Sequence, residues 1–199
     1  MKLSSAARRL LGLRVFRMFG RPLERLPGGK PDGLDLRVLG LPELLPLCSD
    51  AELNLRPDAV SAACARGDLC VGAFDGGTLA GYCWFAFRPL PHLDGVWVRF
   101  DPAVAWTYKS LVLPAYRGRG IAAALYRFAD AQCRERGCSR SVICVERHNG
   151  PSIQAALRAG YAAEGYGAYL LRSRRLIAWS SSAAKRCGIA FFRPHAGPR

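Results

Sequence analysis

Apolar and polar residues alternate over Leu34–Leu39, and nearly unbroken apolar runs follow at Leu69–Phe74 and Thr78–Phe87. These patterns predict three strands, the last two joined as a hairpin through Asp75-Gly76-Gly77. Pro42–Cys48 and Pro57–Arg66 carry helical spacing, the second with Pro in its first turn and Gly67 just past its end. Ala105–Leu113 reads as a strand, Ile121–Arg136 as an amphipathic helix stopped by Gly137, and Ser141–Val145 as a short buried strand. Asn149 and Pro151 open a helix that ends at Gly160, and Tyr161–Leu171 supplies the last strand or strand pair. Strand, helix, strand, helix in that order implies a parallel pair with a crossover helix. Between the strands, residues 88–103 hold three prolines and several aromatics, a long connection with a short strand at Val96–Phe100.

The two ends of the chain look different. Residues 3–19 read as a helix, with Arg14, Arg17, Arg21 and Arg25 at three- and four-residue steps and Leu11, Val15 and Phe19 along another face. Such a helix either lies on an anionic membrane surface or packs its apolar stripe on the body, and an acid-free start up to Glu24 also suits a targeting peptide. A Pro/Gly-rich stretch from Arg21 to Gly33 follows, and the tail from Arg172 is basic and weakly patterned. The expected division is a basic amphipathic helix and linker (1–33), a folded domain (34–171) and a basic C-terminal extension (172–199).

Charge sharpens that division. The net charge of +14 sits at the ends: residues 1–37 carry nine Lys/Arg against three acids, residues 38–171 thirteen against twelve, and residues 172–199 seven against none. A nearly neutral body argues against a nucleic-acid groove built into the fold. The basic ends suit an anionic membrane surface or an acidic carrier protein, or they simply aid solubility. No apolar run approaches the roughly 18 residues of a spanning helix, and no secretory signal is visible. The eight cysteines form no C-x-x-C pair, and no histidine stands at a finger-like spacing, so no metal site is expected. Unpaired thiols in apolar patterns point to a reducing cytoplasm, with peripheral membrane association as an added option.

The chemistry concentrates at Arg117-Gly118-Arg119-Gly120-Ile121-Ala122, between a strand and a helix. Gly118 and Gly120 let backbone N–H groups converge on a phosphate, the helix start adds its positive end, and Arg117 and Arg119 add charge. A dinucleotide motif and a Walker loop are both absent. The segment resembles the GCN5-related N-acetyltransferase (GNAT) superfamily: Arg117, Gly120 and Ala122 match its R/Q-x-x-G-x-G/A signature, Leu111 to Arg117 is similar to the strand before it, and Asn149 with Gly160-Tyr161 is similar to its downstream N-x-x-A-x-x-L-Y-x-x-x-G-F region.

That resemblance implies an α/β (α+β) acyl-CoA N-acyltransferase fold: a mixed sheet with helices on both faces, whose parallel strands 105–113 and 141–145 splay apart around acetyl-CoA or another acyl-CoA. The implied coenzyme contacts are Leu111, Val112, Leu113, Arg117, Gly118, Arg119, Gly120, Ile121, Ala122, Asn149 and Ser152, with free N–H groups near Val112 and Leu113 polarising the thioester. Asn149 equally suits a helix N-cap. The expected reaction is transfer of an acyl group, acetyl by default, to a primary amine of a small or amino-acid-like acceptor. A longer-chain or carrier-protein donor, a non-catalytic acyl-CoA-binding module and a homodimer are the alternatives to be weighed. Ala156 stands where the family often places the tyrosine that protonates the thiolate, which opens that role to Ser152, Tyr116, Tyr161 or water. Candidate bases are Glu146 at a strand end, with His148 near it, and Asp101 before the first splayed strand, with Asp94 weaker. Tyr108 and Lys109 lead toward the cleft, and His92, Trp97 and Phe100 either wall the acceptor pocket or fill the core.

Overall fold

Stretches with a strand pattern become one eight-stranded sheet in a computed structural model that describes residues 12–23, 33–93, 95–172 and 175–194. Its strands are β1 (Leu13–Pro22), β2 (Leu34–Leu39), β3 (Leu69–Asp75), β4 (Thr78–Ala86), β7 (Val104–Val112), β8 (Arg140–Glu146), β9 (Ala162–Arg172) and β10 (Arg175–Ser180). They lie in the order β10-β9-β1-β8-β7-β4-β3-β2. A small second sheet, ordered β11-β6-β5, joins β5 (Leu90–Pro91), β6 (Trp97–Arg99) and β11 (Ala190–Phe192). Only β7 and β8 pair in parallel; the other neighbours in both sheets are antiparallel.

Helices cover both faces. On one face α3 (Ile121–Glu135) and α4 (Gly150–Arg158) bury Ile121, Leu125, Tyr126 and Ala156 against Val71, Cys83, Phe85 and Ile143. On the other, α1 (Leu41–Leu47) and α2 (Pro57–Arg66) bury Leu44, Val60 and Ala63 against Cys70, Tyr82 and Trp84. The same face holds α5 (Ser182–Arg186) and β11, whose Ala184 and Phe191 pack with Phe16, Val98, Trp106 and Tyr169. Successive residues of β3 and β4 therefore enter different cores, which is why these strands read as continuous apolar runs.

Two expectations give way here. Residues 13–19, read as part of an amphipathic helix, form β1 between β8 and β9 together with Gly20 and the first two residues of the expected linker. Phe16 and Met18 enter one core and Phe19 the other, so a strand buried on both faces shows no period of two, and the helical arginine spacing coincides with a strand. Arg21 is no surface stripe: its guanidinium is buried and donates to both Asp130 oxygens at 2.5 and 2.7 Å. The part of the expected helix before residue 12 lies outside the described residues. The C-terminal stretch is also built into the fold, through β10, α5 and β11. β10 is mostly exposed and shows no buried alternation, while α5 and β11 are only five and three residues long, so periodicity does not reveal them.

The aromatic connection serves the core. His92 packs among Phe16, Tyr169 and Phe191, Phe100 stacks on Trp106, and Trp97 meets Phe192. All eight cysteines are free thiols.

Candidate functional site

β7 and β8 keep parallel register only where Val104–Thr107 faces Arg140–Ile143. Beyond Thr107, β7 continues along β4 alone, with Leu111 opposite Tyr82 and Val112 opposite Gly81. Gly81 allows this approach, because a Cβ there would stand 2.7 Å from the Leu111 carbonyl oxygen. Leu113 donates its N–H to the Ala80 carbonyl at 2.9 Å. Backbone groups alternate sides along a strand, so Leu111 also faces β4 while Ser110 and Val112 turn their N–H groups toward the gap. The splayed pair is thus a local feature of one strand that has lost one neighbour.

After β7, a 3-10 turn (Pro114–Tyr116) leads into the glycine turn and α3. Gly118 and Gly120 hold φ of 83° and 74°, a region that disfavours any residue with a Cβ. A Cβ at either would meet nothing within 4 Å, so backbone conformation rather than crowding calls for glycine. Gly120 caps α3 without a side-chain hydrogen bond, which leaves the first-turn N–H groups and the positive helix end open to a ligand. At α4 the opposite holds: the Asn149 side chain accepts from the Ser152 N–H at 3.2 Å.

These elements enclose a cleft of about 550 Å³. Of the residues expected to hold a coenzyme, Leu111, Val112, Arg117, Gly118, Gly120, Ile121, Ala122, Asn149 and Ser152 line it. Arg117 donates from Nε to the Val112 carbonyl at 3.3 Å, and this fixes the guanidinium over the strand end. Two expected residues stand elsewhere. Leu113 is buried with its N–H already used, so it is no free donor. Arg119 donates to Asp75 at 2.7 Å and lies over the Tyr116 ring, drawn to the β3–β4 hairpin.

Sequence reasoning missed Ser110, Tyr126, Gln154 and Arg158, which also line the cleft. Tyr126 sits on the apolar stripe of α3 and reads as core; its hydroxyl lies 3.0 Å from Ser110 Oγ. Burial pushes the Tyr126 hydroxyl up, so it stays protonated. Arg158 resembles an ordinary basic residue in the last turn of a helix.

The candidate catalytic residues do not converge. Asp101 accepts from the Ala103 N–H at 2.8 Å just before β7 begins, while the cleft lies at its other end, so Asp101 is not a base for this site. Glu146 ends β8 and is held by Arg14 at 3.5 Å and His148 at 3.1 Å. Continuing the parallel register would bring Glu146 opposite Ser110, across the gap. Tyr108 lies on the α2 face and donates to Asp68 at 3.0 Å, and burial first and then Asp68 raise its pKa. Tyr161 is buried behind Ser141, 2.6 Å away, and Tyr116 lines the cleft. Among the described residues no cluster of His, Cys, Asp or Glu could hold a metal ion, and no helix is long and apolar enough to cross a membrane.

A mixed sheet that opens between its two parallel strands above a glycine-capped helix defines an acyltransferase fold. The chain belongs to the acetyltransferase (GNAT) family, whose sequence pattern matches residues 40–161. No curated protein matches the sequence. Similar solved structures include a GCN5-related N-acetyltransferase from Sphaerobacter thermophilus, with 20% identity and TM-score 0.55 over 82% of this chain and 54% of that one. This chain therefore spans about half the length of that protein. An aminoglycoside 6'-N-acetyltransferase from Acinetobacter baumannii has 16% identity and TM-score 0.50 over 65% and 91% of the two chains. A ribosomal-protein-alanine N-acetyltransferase from Brucella melitensis biovar Abortus 2308 has 26% identity and TM-score 0.50 over 71% and 99%.

Proposed function

We propose that this protein transfers an acetyl group from acetyl-CoA to a primary amine of a small or amino-acid-like acceptor. The observation that carries the reading is the parting of β7 and β8 beyond Thr107, beside an α3 start that no side chain caps. In this reading the first-turn N–H groups of α3, with Gly118, Gly120 and Arg117, take the pyrophosphate. Arg158 and Ser152 line the same cleft and would support the coenzyme further along. The N–H groups of Ser110 and Val112 meet the pantetheine arm and the thioester oxygen as charge builds there, an effect worth about 3–4 kcal/mol for one well-placed donor.

Chemistry then needs a base and an acid. Glu146 is the carboxylate nearest the gap by register and would take the ammonium proton, directly or through water. The amine then attacks the thioester carbonyl carbon, the new C–N bond forms, and the C–S bond breaks. Ser110 and Tyr126, the hydroxyl pair in the cleft, would relay the second proton, shed by the attacking nitrogen, to the departing thiolate and end as neutral hydroxyls, a role Ala156 cannot fill. The thiolate is already a tolerable leaving group, with a thiol pKa of about 8.5.

The test is calorimetry with acetyl-CoA followed by thiol release across an amine panel. Heat with acetyl-CoA and amine-dependent thiol release, both lost in Arg117→Glu, are expected. Binding without release from any amine would make this an acyl-CoA-binding module instead. A series of longer acyl-CoA thioesters and acyl carrier protein in the same assay reads the donor.

A further inference from the structure

Opposite the coenzyme cleft, on the α2 face of β7, lies a second pocket of about 230 Å³. Its charged lining is Arg56, Arg66 and Lys109, with no acidic side chain, and its walls include Trp84, Tyr108 and Leu90. Arg56 and Arg66 have carboxylate partners in Asp58 and Asp68, at 2.5 and 2.6 Å. Lys109 has none among the described residues. Its ammonium donates to the Asn54 carbonyl at 2.5 Å and stands 5.7 Å from the Tyr82 ring centroid. Burial lowers its pKa, the sign of a cation short of compensation. Arg66 Nε is buried without a partner as well. Half-buried cationic groups of this kind are costly unless an anion offsets them.

The location gives the pocket a use. Thr107 is the last residue of β7 in register with β8, Tyr108 and Lys109 line this pocket, and Ser110 lines the coenzyme cleft. Three consecutive residues therefore connect the two spaces, and two steps of strand span roughly 7 Å. That is the reach of a small molecule with an anionic group at one end of a short skeleton and an amine at the other.

We propose that this pocket binds the anionic group, carboxylate or phosphate, of the amine that the enzyme acetylates, with Lys109 as the principal charge partner. The proposal rests on the acetyltransferase reading and adds the class of acceptor. A polycationic acceptor would fit this pocket poorly, since Lys109 has no carboxylate partner among the described residues and no acidic side chain lines the space.

Steady-state kinetics on matched amines test it: 5-aminopentanoate against pentylamine, and phosphoethanolamine against ethanolamine, with spermidine as a cationic control. The anionic member of at least one pair should be preferred by roughly tenfold or more in kcat/KM, the scale of one hydrogen bond to a charged group. Which pair shows the preference tells carboxylate from phosphate. Lys109→Gln should erase the preference by raising KM for the anionic amine, and Lys109→Arg should restore most of it. Unchanged heat with acetyl-CoA in Lys109→Gln would place the effect outside the coenzyme cleft. Equal or better use of the uncharged or cationic amines by the wild-type protein overturns the proposal, as does a preference that survives in Lys109→Gln. If no amine is acetylated although acetyl-CoA binds, direct titration of the same pairs decides, and equal binding of charged and uncharged members overturns it. Absence of heat with acetyl-CoA would sink the acetyltransferase reading alone, and the same titrations still judge the pocket.

Discussion

Arg117 and Arg119 stand two positions apart in one glycine turn, yet only one of them faces the cleft. Arg117 is tied to the Val112 carbonyl, while Arg119 spends its charge on Asp75. Alanine at Arg117 should weaken acetyl-CoA binding about tenfold or more, the value of a charge-assisted contact. Alanine at Arg119 should leave the binding constant nearly unchanged, because the exposed Asp75 pair is worth at most about 1 kcal/mol and lies off the ligand. Calorimetry on the two variants checks this contrast. Gly120→Ala should cost about 1–2 kcal/mol of stability from its φ of 74° alone, read by denaturant unfolding, besides a loss of coenzyme affinity. Sequence spacing could not separate the two arginines, since their partners lie in different elements.

At the scale of elements, β1 is fastened to α3 by a buried ion pair. Arg21 donates to Asp130 and to the Tyr126 carbonyl, and its guanidinium lies 4.8 Å from the Tyr161 ring centroid. Removing one partner leaves a buried charge without compensation, so Arg21→Met should cost roughly 3–5 kcal/mol. The double variant Arg21→Met, Asp130→Leu should recover much of that loss in a double-mutant cycle read by urea unfolding. The same strand marks the limit of what the sequence discloses. β2, α2 and the β3–β4 hairpin follow from local alternation, proline placement and glycine stops. The glycine turn and the order of elements around it disclose where the cleft opens. β1 escapes because both its faces are buried, and Tyr126 escapes because a cleft-lining residue and a core residue look alike on an apolar stripe. Asp101 precedes β7 and the glycine turn follows it, so the length of that strand separates the carboxylate from the cleft.

The molecule as a whole keeps many acids buried in neutral form. Cys70, Cys83 and Cys144 are raised by burial, Cys133 is pushed up to about 12 mainly by burial, and Tyr82 is also raised chiefly by burial. In the unfolded chain these thiols ionise from about pH 8.5. Above that pH the unfolded state therefore binds fewer protons than the folded one, and stability falls as pH rises toward the folded values. Each such thiol contributes about 1.4 kcal/mol per pH unit in that window. Thermal melts should drop steeply between pH 8 and pH 10, and Cys83→Ala should make the slope shallower whatever its effect at pH 8.

The place of β1 also sets an order of assembly. Leu13 lies opposite Leu170 and Phe16 opposite Glu146, so the strand made early must wait for partners made more than a hundred residues later. Until both arrive, a ribbon rich in phenylalanine has neither flank satisfied and is exposed to wrong pairing, a hazard that slow closure of distant contacts prolongs. The matched family region, residues 40–161, holds the neighbouring strands β8-β7-β4-β3 but lacks that ribbon, so a fragment trimmed to it would carry the glycine turn on a half-sheet with β8 laid open as an edge.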